Sequence, residues 1–230
     1  DPDCLTRKNV QGIDNKRAVF MSNSLYCLDY ALTQTNFYAA HNDLILYCRL
    51  RILYLTKNVR KQIQLNEYDR IQQEIQEDVD IGNILIGIEK YQAAIDFNRR
   101  NYEKLLLNIS EYPELKCYSH GVLHNYARSL FVAFQASLQK SDVGNDPPYH
   151  YLEEAERLME EVVRESSRAN IGMYVTNTLL LCNILMCQRK FAEANQILTP
   201  CLQKAQRILG PSHELTKCLL AMDEQIRPYT

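Results

Sequence analysis

The sequence has little glycine or proline and no tryptophan. Its seven glycines and seven prolines are each about 3% of the 230 residues, against usual values near ~7% and ~5%. This shortage excludes collagen-like chains, glycine-rich linkers and turn-dense β-sandwiches. The hydrophobic fraction of 46% is too high for a disordered chain, and no apolar run approaches the ~18 residues of a membrane span. We therefore expect a folded helical protein with no membrane partner.

Neither basic nor acidic residues are in large excess. The chain has 26 basic and 28 acidic residues, a formal net charge of -2. This balance produces no general attraction to nucleic acid or to an anionic membrane, so we do not expect a nucleic-acid partner. One local basic cluster could bind an acidic peptide or nucleic acid, but we favour the interpretation that its side chains form a solvated helix face. The cluster consists of Arg49, Arg51, Lys57, Arg60 and Lys61.

The eight cysteines form no pattern typical of disulfides or metal sites. They occur singly, without a CxxC pair, inside apolar helical patterns. Because a free cysteine packs as a small hydrophobe, we expect reduced thiols in the core. Reduced thiols favour the cytoplasm, with the nucleus as the alternative location. The chain begins Asp1-Pro2-Asp3 without a methionine or an apolar signal region, which we interpret as a fragment or a processed product.

Apolar residues recur every three or four positions along almost the whole chain, which is the period of an amphipathic helix. The pattern predicts helices near 15–34, 37–54, 80–110, 116–139, 150–168, 171–189, 191–209 and 213–226, with a more polar stretch at 60–77. Residues 1–14 are expected to be irregular, and residues 141–149, which contain Gly144, Pro147 and Pro148, are expected to form a loop. No segment alternates with period two for long enough to predict a strand. The predicted fold class is all-α.

Two helical segments are similar to each other at a spacing of 39 residues. Aligning residues 152–163 with residues 191–202 superposes Ala155 on Ala194, and larger apolar residues follow four and seven positions later in both. A small residue at such a place lets two antiparallel helices approach closely.

The preceding helix supplies the packing partners of the small residue. For Ala194 these are Leu181, Cys182 and Leu185, which lie 13, 12 and nine residues before it. The same spacing of small and apolar residues occurs in residues 81–94, where Gly82 and Ala94 are the small residues. Residues 27–47 match this spacing less closely.

The repeat resembles the tetratricopeptide repeat (TPR). Residues 190–194 (Lys-Phe-Ala-Glu-Ala) and 209–213 (Leu-Gly-Pro-Ser-His) are similar to the two ends of the long TPR of kinesin light chains. The chain departs from that pattern at Arg189, where a glycine is usual, and at Glu214, where a proline is usual. The resemblance implies a single domain over 1–230, in which antiparallel helical hairpins stack as a right-handed superhelix.

A TPR-like stack would hold a partner peptide or helix in its concave groove, as an adaptor or scaffold. The first helix of each hairpin lines that surface. Asparagine and arginine side chains there can bind a peptide backbone or a carboxylate. The predicted peptide-binding residues are His124, Asn125, Arg128, Tyr174, Asn177 and Thr178.

A second resemblance concerns the end of the chain. Gly210, His213 and residues 223–227 (Asp-Glu-Gln-Ile-Arg) are similar to the closing segment of the TPR-like lobe in SET-and-MYND lysine methyltransferases. This resemblance implies the alternative function, a regulatory lobe of a larger enzyme. Nothing in residues 1–80 resembles a SET domain or a MYND finger, so no catalytic residue can be transferred.

Residues with catalytic or metal-binding potential are few. His120 and His124 lie four apart on one predicted helix, but no third metal ligand is evident, and Gly121 stands where a zincin would have its general base. The GxSxG, P-loop and GxGxxG motifs are absent. We therefore expect no enzyme activity, no metal and no cofactor. The sequence identifies neither the protein partner nor the pathway, and it leaves the oligomeric state open.

Overall fold

A computed structural model describes residues 15–35, 43–63, 65–140, 148–167 and 170–230. Within these ranges the chain is helical and has no strand, which confirms the predicted all-α fold class. The predicted irregular segment 1–14 and residues 141–147 of the predicted loop lie outside the described residues. Among the helices in these ranges, none combines the length and the apolar character needed to cross a membrane.

The described part of the chain contains nine α-helices, numbered here in chain order. The first four are α1 (Asn15–Thr35), α2 (Asp43–Arg60), α3 (Glu67–Gly87) and α4 (Tyr91–Asn108). The next five are α5 (Ser119–Lys140), α6 (Tyr149–Ser166), α7 (Ile171–Cys187), α8 (Phe191–Ile208) and α9 (Glu214–Ile226). Two short 3-10 helices, Pro113–Tyr118 and Arg227–Tyr229, follow α4 and α9.

The ends of α5 to α9 lie within three residues of the predicted ones, but the prediction for residues 60–110 is wrong in one respect. Residues 67–77 of the polar stretch and the start of the predicted helix 80–110 form one helix, α3, and the chain then turns at residues 88–90. Helix α3 begins where the side chain of Asn66 accepts the backbone N–H of Asp69 at 2.8 Å. It ends where Glu89 adopts a left-handed conformation with φ 58°.

The contacts divide the chain into two compact units, Asp1–Tyr118 and Ser119–Thr230. In the first unit α1 packs on α2, α2 on α3 and α3 on α4. In the second unit each of α5 to α8 packs on the next helix, and α7 also contacts α5 and α9. Packing between sequence neighbours is what helical hairpins require. The single domain over 1–230 stays a prediction.

Small residues mark the places where consecutive helices approach closely. Three alanines of the repeated pattern are fully buried: Ala94, Ala155 and Ala194. The Cys182 thiol donates to the carbonyl of Ala194 at 3.6 Å. At Gly82, the corresponding place in α3, an added Cβ would lie 2.2 Å from Oδ1 of Asn98. Helix α4 therefore packs directly on the backbone of α3.

Two turns that lie a hundred residues apart have the same backbone structure. The helices α3 and α7 are followed by Glu89 and Arg189, with φ angles of 58° and 61°. In each turn the next residue, a lysine, donates its backbone N–H to the carbonyl five residues earlier, at 2.9 Å in both. This is the Schellman motif, in which glycine usually supplies the left-handed residue. Arg189, which departs from the TPR pattern, thus has the conformation that the usual glycine would adopt.

Candidate functional site

The helices α5 and α7 bring two of the predicted site residues together. Nδ1 of His124 lies 2.8 Å from Oδ1 of Asn177, although the two residues are 53 positions apart in the sequence. The Asn177 oxygen accepts the hydrogen bond when the imidazole proton is on Nδ1. His124 and Asn177 therefore form one polar pair between the two helices.

A shallow groove of about 370 Å³ lies beside this pair. Its lining residues are His120, Gly121, His124, Gly172, Met173, Thr176 and Asn177. Met173 and Thr176 are exposed, whereas Asn177 is buried. The apolar thioether of Met173 and the hydroxyl of Thr176 are thus exposed in the groove, beside partly buried imidazoles. This combination can contact both the backbone and the side chains of a peptide.

The environment of His124 favours the neutral imidazole. Burial lowers the pKa of His124 from its ordinary value of 6.5, the hydrogen bond with Asn177 opposes this effect, and the charge of Arg128 lowers the pKa further. At neutral pH the ring therefore carries one donor nitrogen and one acceptor nitrogen and has no charge. His124 can position a polar group of a ligand, but it does not provide a cation.

The other four predicted site residues differ in their access to solvent. Arg128 is exposed, one turn beyond His124 on α5. Asn125, Tyr174 and Thr178 are buried. The ring of Tyr174 lies 5.4 Å from the ammonium of Lys204 and thus contacts α8. The structure places these three residues in helix packing, and it places His124 and Asn177 in the groove.

The two histidines of α5 have different neighbours. Nε2 of His120 lies 3.2 Å from a carboxylate oxygen of Glu165 in α6, whereas His124 faces α7. Within the part of the chain that the structure describes, no group of three histidine, cysteine, aspartate or glutamate side chains could hold a metal ion.

The basic cluster of α2 is largely paired within the first unit. Nε of Arg49 donates to Asp29 of α1 at 3.0 Å. Lys57 and Arg60 form ion pairs with two buried carboxylates of α3. The expected solvated face is therefore wrong for these three residues, because carboxylates that are distant in the sequence neutralise them. The other two cations of the cluster are exposed.

Helix α3 supplies the carboxylates of this network through Glu77 and Asp78, both buried. Asp78 binds Lys57 and also accepts from Nζ of Lys104 in α4 at 2.8 Å. Burial raises the pKa of Glu77, while the charges of Arg60 and Lys57 oppose that rise. The network joins α2, α3 and α4, and its ion pairs stabilise the packing of these three helices.

The expectation that the cysteines lie in the core is only partly correct. All seven described cysteines are free. Cys182 and Cys201 are buried, and burial raises the pKa of Cys182 to about 12. Four others are exposed: Cys27, Cys48, Cys117 and Cys218. For these four the expectation is wrong, because a helical pattern does not say which face a single cysteine occupies.

Sequence reasoning missed the exposed residues of the groove, Met173 and Thr176. The available signal was their spacing with Asn177, since positions i, i+3 and i+4 share one face of a helix. The pairing of Asn177 with His124 left no local signal, because it depends on how α5 and α7 pack.

No protein-family model matches this chain, and neither a curated protein nor a solved structure matches it. The resemblances to the TPR and to the SET-and-MYND lobe therefore rest on the residues named in the sequence analysis.

Proposed function

We propose that this chain is a non-enzymatic protein-interaction module, an adaptor or scaffold, that holds a partner peptide or helix against the groove between α5 and α7. The observation that carries the proposal is the groove itself, in which exposed Met173 and Thr176 lie beside the His124–Asn177 pair. Recognition of a peptide needs an apolar contact and a few fixed polar groups, and this groove contains both.

We also propose that the helices form a TPR-like stack with a right-handed superhelical twist. Helix α7 contacts α5 and α9, while α6 and α8 alternate with these three along the chain. The paired turns at Glu89 and Arg189, and Gly210 with φ 88° after α8, support a common hairpin unit. In such a stack α5, α7 and α9 are the first helices of successive hairpins and line the concave surface.

The lining residues indicate what kind of peptide would bind. Met173 is flexible and polarisable and would contact an apolar side chain. The hydroxyl of Thr176 donates to the carbonyl of Gly172 at 3.0 Å, so its oxygen can accept a hydrogen bond from a peptide N–H. Arg128 gives the α5 side a positive charge. We expect a ligand with an apolar residue close in sequence to an acidic one.

Selection of short random peptides on the immobilised full chain tests this function. We expect enriched peptides with the apolar–acidic pattern. Met173→Asp should weaken their binding at least roughly tenfold, because it places a charge on the apolar contact. Arg128→Ala should weaken binding of the acidic peptides alone. Titration calorimetry with a synthetic copy of a selected peptide measures both effects.

A matched variant controls for the added charge. Ile208→Asp changes another exposed apolar residue, on α8 and away from the groove lining, and should leave peptide affinity unchanged. Asn177 is unsuitable for this test because it is buried and its substitution would disturb packing. If no peptide is enriched, or if Met173→Asp and Ile208→Asp behave alike, the proposed groove function is wrong.

The alternative function, a regulatory lobe of a larger enzyme, has one observation in its favour. Three of the residues that resemble the SET-and-MYND lobe form contacts at the last hairpin. Nδ1 of His213 accepts the backbone N–H of Leu215 at 3.1 Å and so caps α9, and Arg227 pairs with Asp223 one turn before it. The full coding sequence tests this alternative, which requires a SET segment and a cysteine-rich finger in the same protein.

A further inference from the structure

Helix α1 has large apolar side chains that remain exposed in the described part of the chain. It packs on α2 through a face that contains buried Ala18 and Ser22. Elsewhere on the helix Phe20, Tyr26 and Tyr30 are 73%, 63% and 58% exposed. A helix with large apolar side chains on several faces normally packs on more than one side, and within the described residues these side chains of α1 remain in solvent.

The exposed residues follow the spacing of a helix-pairing seam. Steps of four, three and four residues separate the members of one line on the helix: Val19, Asn23, Tyr26 and Tyr30. This 3.5-residue period is the one that two paired helices share. Phe20 and Cys27, seven residues apart and also exposed, flank the line on one side. We call these six residues the α1 seam.

We propose that the α1 seam pairs with the α1 seam of a second copy of this chain, in antiparallel orientation, with the two-fold axis beside Asn23. With the axis beside Asn23, Phe20 of one copy lies opposite Tyr26 of the other, Val19 lies opposite Cys27, and Lys16, just outside the seam, lies opposite Tyr30. A carboxamide both donates and accepts, so two Asn23 side chains can bond across the axis. A single asparagine in such a seam is a known means of fixing register.

Charge and aromatic contacts favour the antiparallel orientation. In a parallel pair the Lys16 ammonium would lie opposite another Lys16. In the antiparallel pair Lys16 lies against the ring of Tyr30, where a cation–π contact forms. The seam has no acidic residue that could relieve the repulsion in the parallel pair.

The size of the surface is consistent with a dimer. An aromatic side chain contributes roughly 150–250 Å², so the three exposed rings leave roughly 300–500 Å² of aromatic surface in solvent on each copy. This is as large as the largest apolar patch of a typical monomer, roughly 300–600 Å². Two such surfaces bring together roughly 600–1,000 Å² of aromatic area, and Val19, Asn23 and Cys27 of both copies add to it, so the total approaches the lower size range of specific interfaces, about 1,200 Å².

Sedimentation equilibrium of the full chain over a range of concentrations tests the proposal. We expect a reversible monomer–dimer equilibrium. Tyr26→Glu should raise its dissociation constant at least roughly tenfold, since it places a charge in the seam. The matched control is Leu28→Glu on the same helix, because Leu28 is 49% exposed and projects away from the seam. Met173→Asp should also leave the dimer unchanged. Loss of the dimer and loss of peptide binding in the groove can therefore be distinguished.

Two further measurements test the register and the orientation. Asn23→Glu and Asn23→Lys should each lose the dimer alone and regain it as an equimolar mixture. Mixed Lys16→Cys and Tyr30→Cys chains should form a disulfide between positions 16 and 30, identified by peptide mass spectrometry. Alkylation of native Cys27 should slow as the dimer forms, while alkylation of Cys117, exposed outside the seam, should not.

Several results would overturn the proposal. One is a chain that stays monomeric at every concentration, which would mean that another segment or another protein covers α1. A second is equal loss of the dimer in Tyr26→Glu and Leu28→Glu. A third is crosslinking of position 16 to itself. A fourth is a monomer that binds anionic lipid vesicles through α1, which would make the seam a membrane contact.

Discussion

Oδ1 of Asn98 lies 2.2 Å from the position that a Cβ on Gly82 would occupy. Asn98 is buried in α4, and Gly82 is buried in α3. The two helices therefore cross where only glycine fits. A hundred residues later the corresponding positions are Cys182 and Leu198, both fully buried, so the second unit fills its crossing with side chains from both helices.

Gly82→Ala should destabilise the protein by about 1–3 kcal/mol, because the methyl group overpacks the crossing. This loss should appear although alanine is favoured over glycine within a helix by ~1 kcal/mol. In an Asn98→Ala background the same substitution should be much less harmful, since the clashing oxygen is gone. Urea unfolding of the wild type, the two single variants and the double variant measures the coupling.

Gly121→Ala is the matched control for this cycle. A Cβ at Gly121 of α5 would meet nothing within 4 Å, so the substitution should be neutral or slightly stabilising. If the losses of stability in Gly82→Ala and Asn98→Ala are additive in the double variant, the contact between these two residues does not limit how closely α3 and α4 approach.

Arg189→Gly should stabilise the protein by about 0.5–1 kcal/mol. Arg189 has φ 61°, a conformation that is strained for a residue with a Cβ and unstrained for glycine. Arg189→Ala should bring no such gain, because alanine keeps the Cβ. A rise in the thermal midpoint of the glycine variant alone would establish the cause as backbone strain, and a fall would refute it.

The stability of the protein should decrease as the pH falls below about 6.5 through the contribution of His124. The folded state lowers the pKa of His124, so the unfolded chain takes up a proton near the ordinary value of 6.5 while the folded chain does not. Stability is therefore lost from that pH downward until the folded pKa is reached. Urea unfolding at several pH values measures the slope, which should be shallower in His124→Gln. Equal slopes in the two proteins would show that His124 is not responsible.

Asp78→Asn should destabilise the protein by about 2–4 kcal/mol. The substitution removes the carboxylate that pairs with both Lys57 and Lys104. Breaking a fully buried pair costs about 3–5 kcal/mol, and the effect here is smaller because both lysines reach solvent. Glu67→Gln in the same helix is the control, since its pair with Arg70 is exposed and should contribute less than about 1 kcal/mol. Similar losses in both variants, measured by urea unfolding, would contradict a structural role for the buried network.

The sequence predicted the helices of the second unit well and those of the first unit less well. In the second unit Asn170 and His213 cap α7 and α9, and Gly210 with Pro211 marks a turn. In the first unit the turn after α3 has Glu89 in place of a glycine, so no glycine or proline marks residues 88–90, and the predicted helix 80–110 runs through them although the spacing of Gly82 and Ala94 indicated two crossing helices. The small residues Gly82, Ala94 and Ala194 gave the crossings correctly, because close approach of two helices restricts residue size directly.

The candidate site was less predictable than the helices. The pattern placed His124 and Asn177 on helices that could line a groove, but it could not separate them from Asn125, Tyr174 and Thr178, which are buried in packing. Neighbouring positions on a helix face different directions, and small rotations of the helix decide which of them reach solvent.

Local periodicity, caps and small residues were sufficient to determine an all-helical chain and the positions of its close crossings. These features depend on residues three or four apart, so they can be read along the chain. The pairing of His124 with Asn177, the neutralisation of Lys57 and Arg60 by α3, and the exposure of the α1 seam were decided by the tertiary structure. Each depends on which helix faces lie against each other, and burial then selects the side chains that pair and those left in solvent.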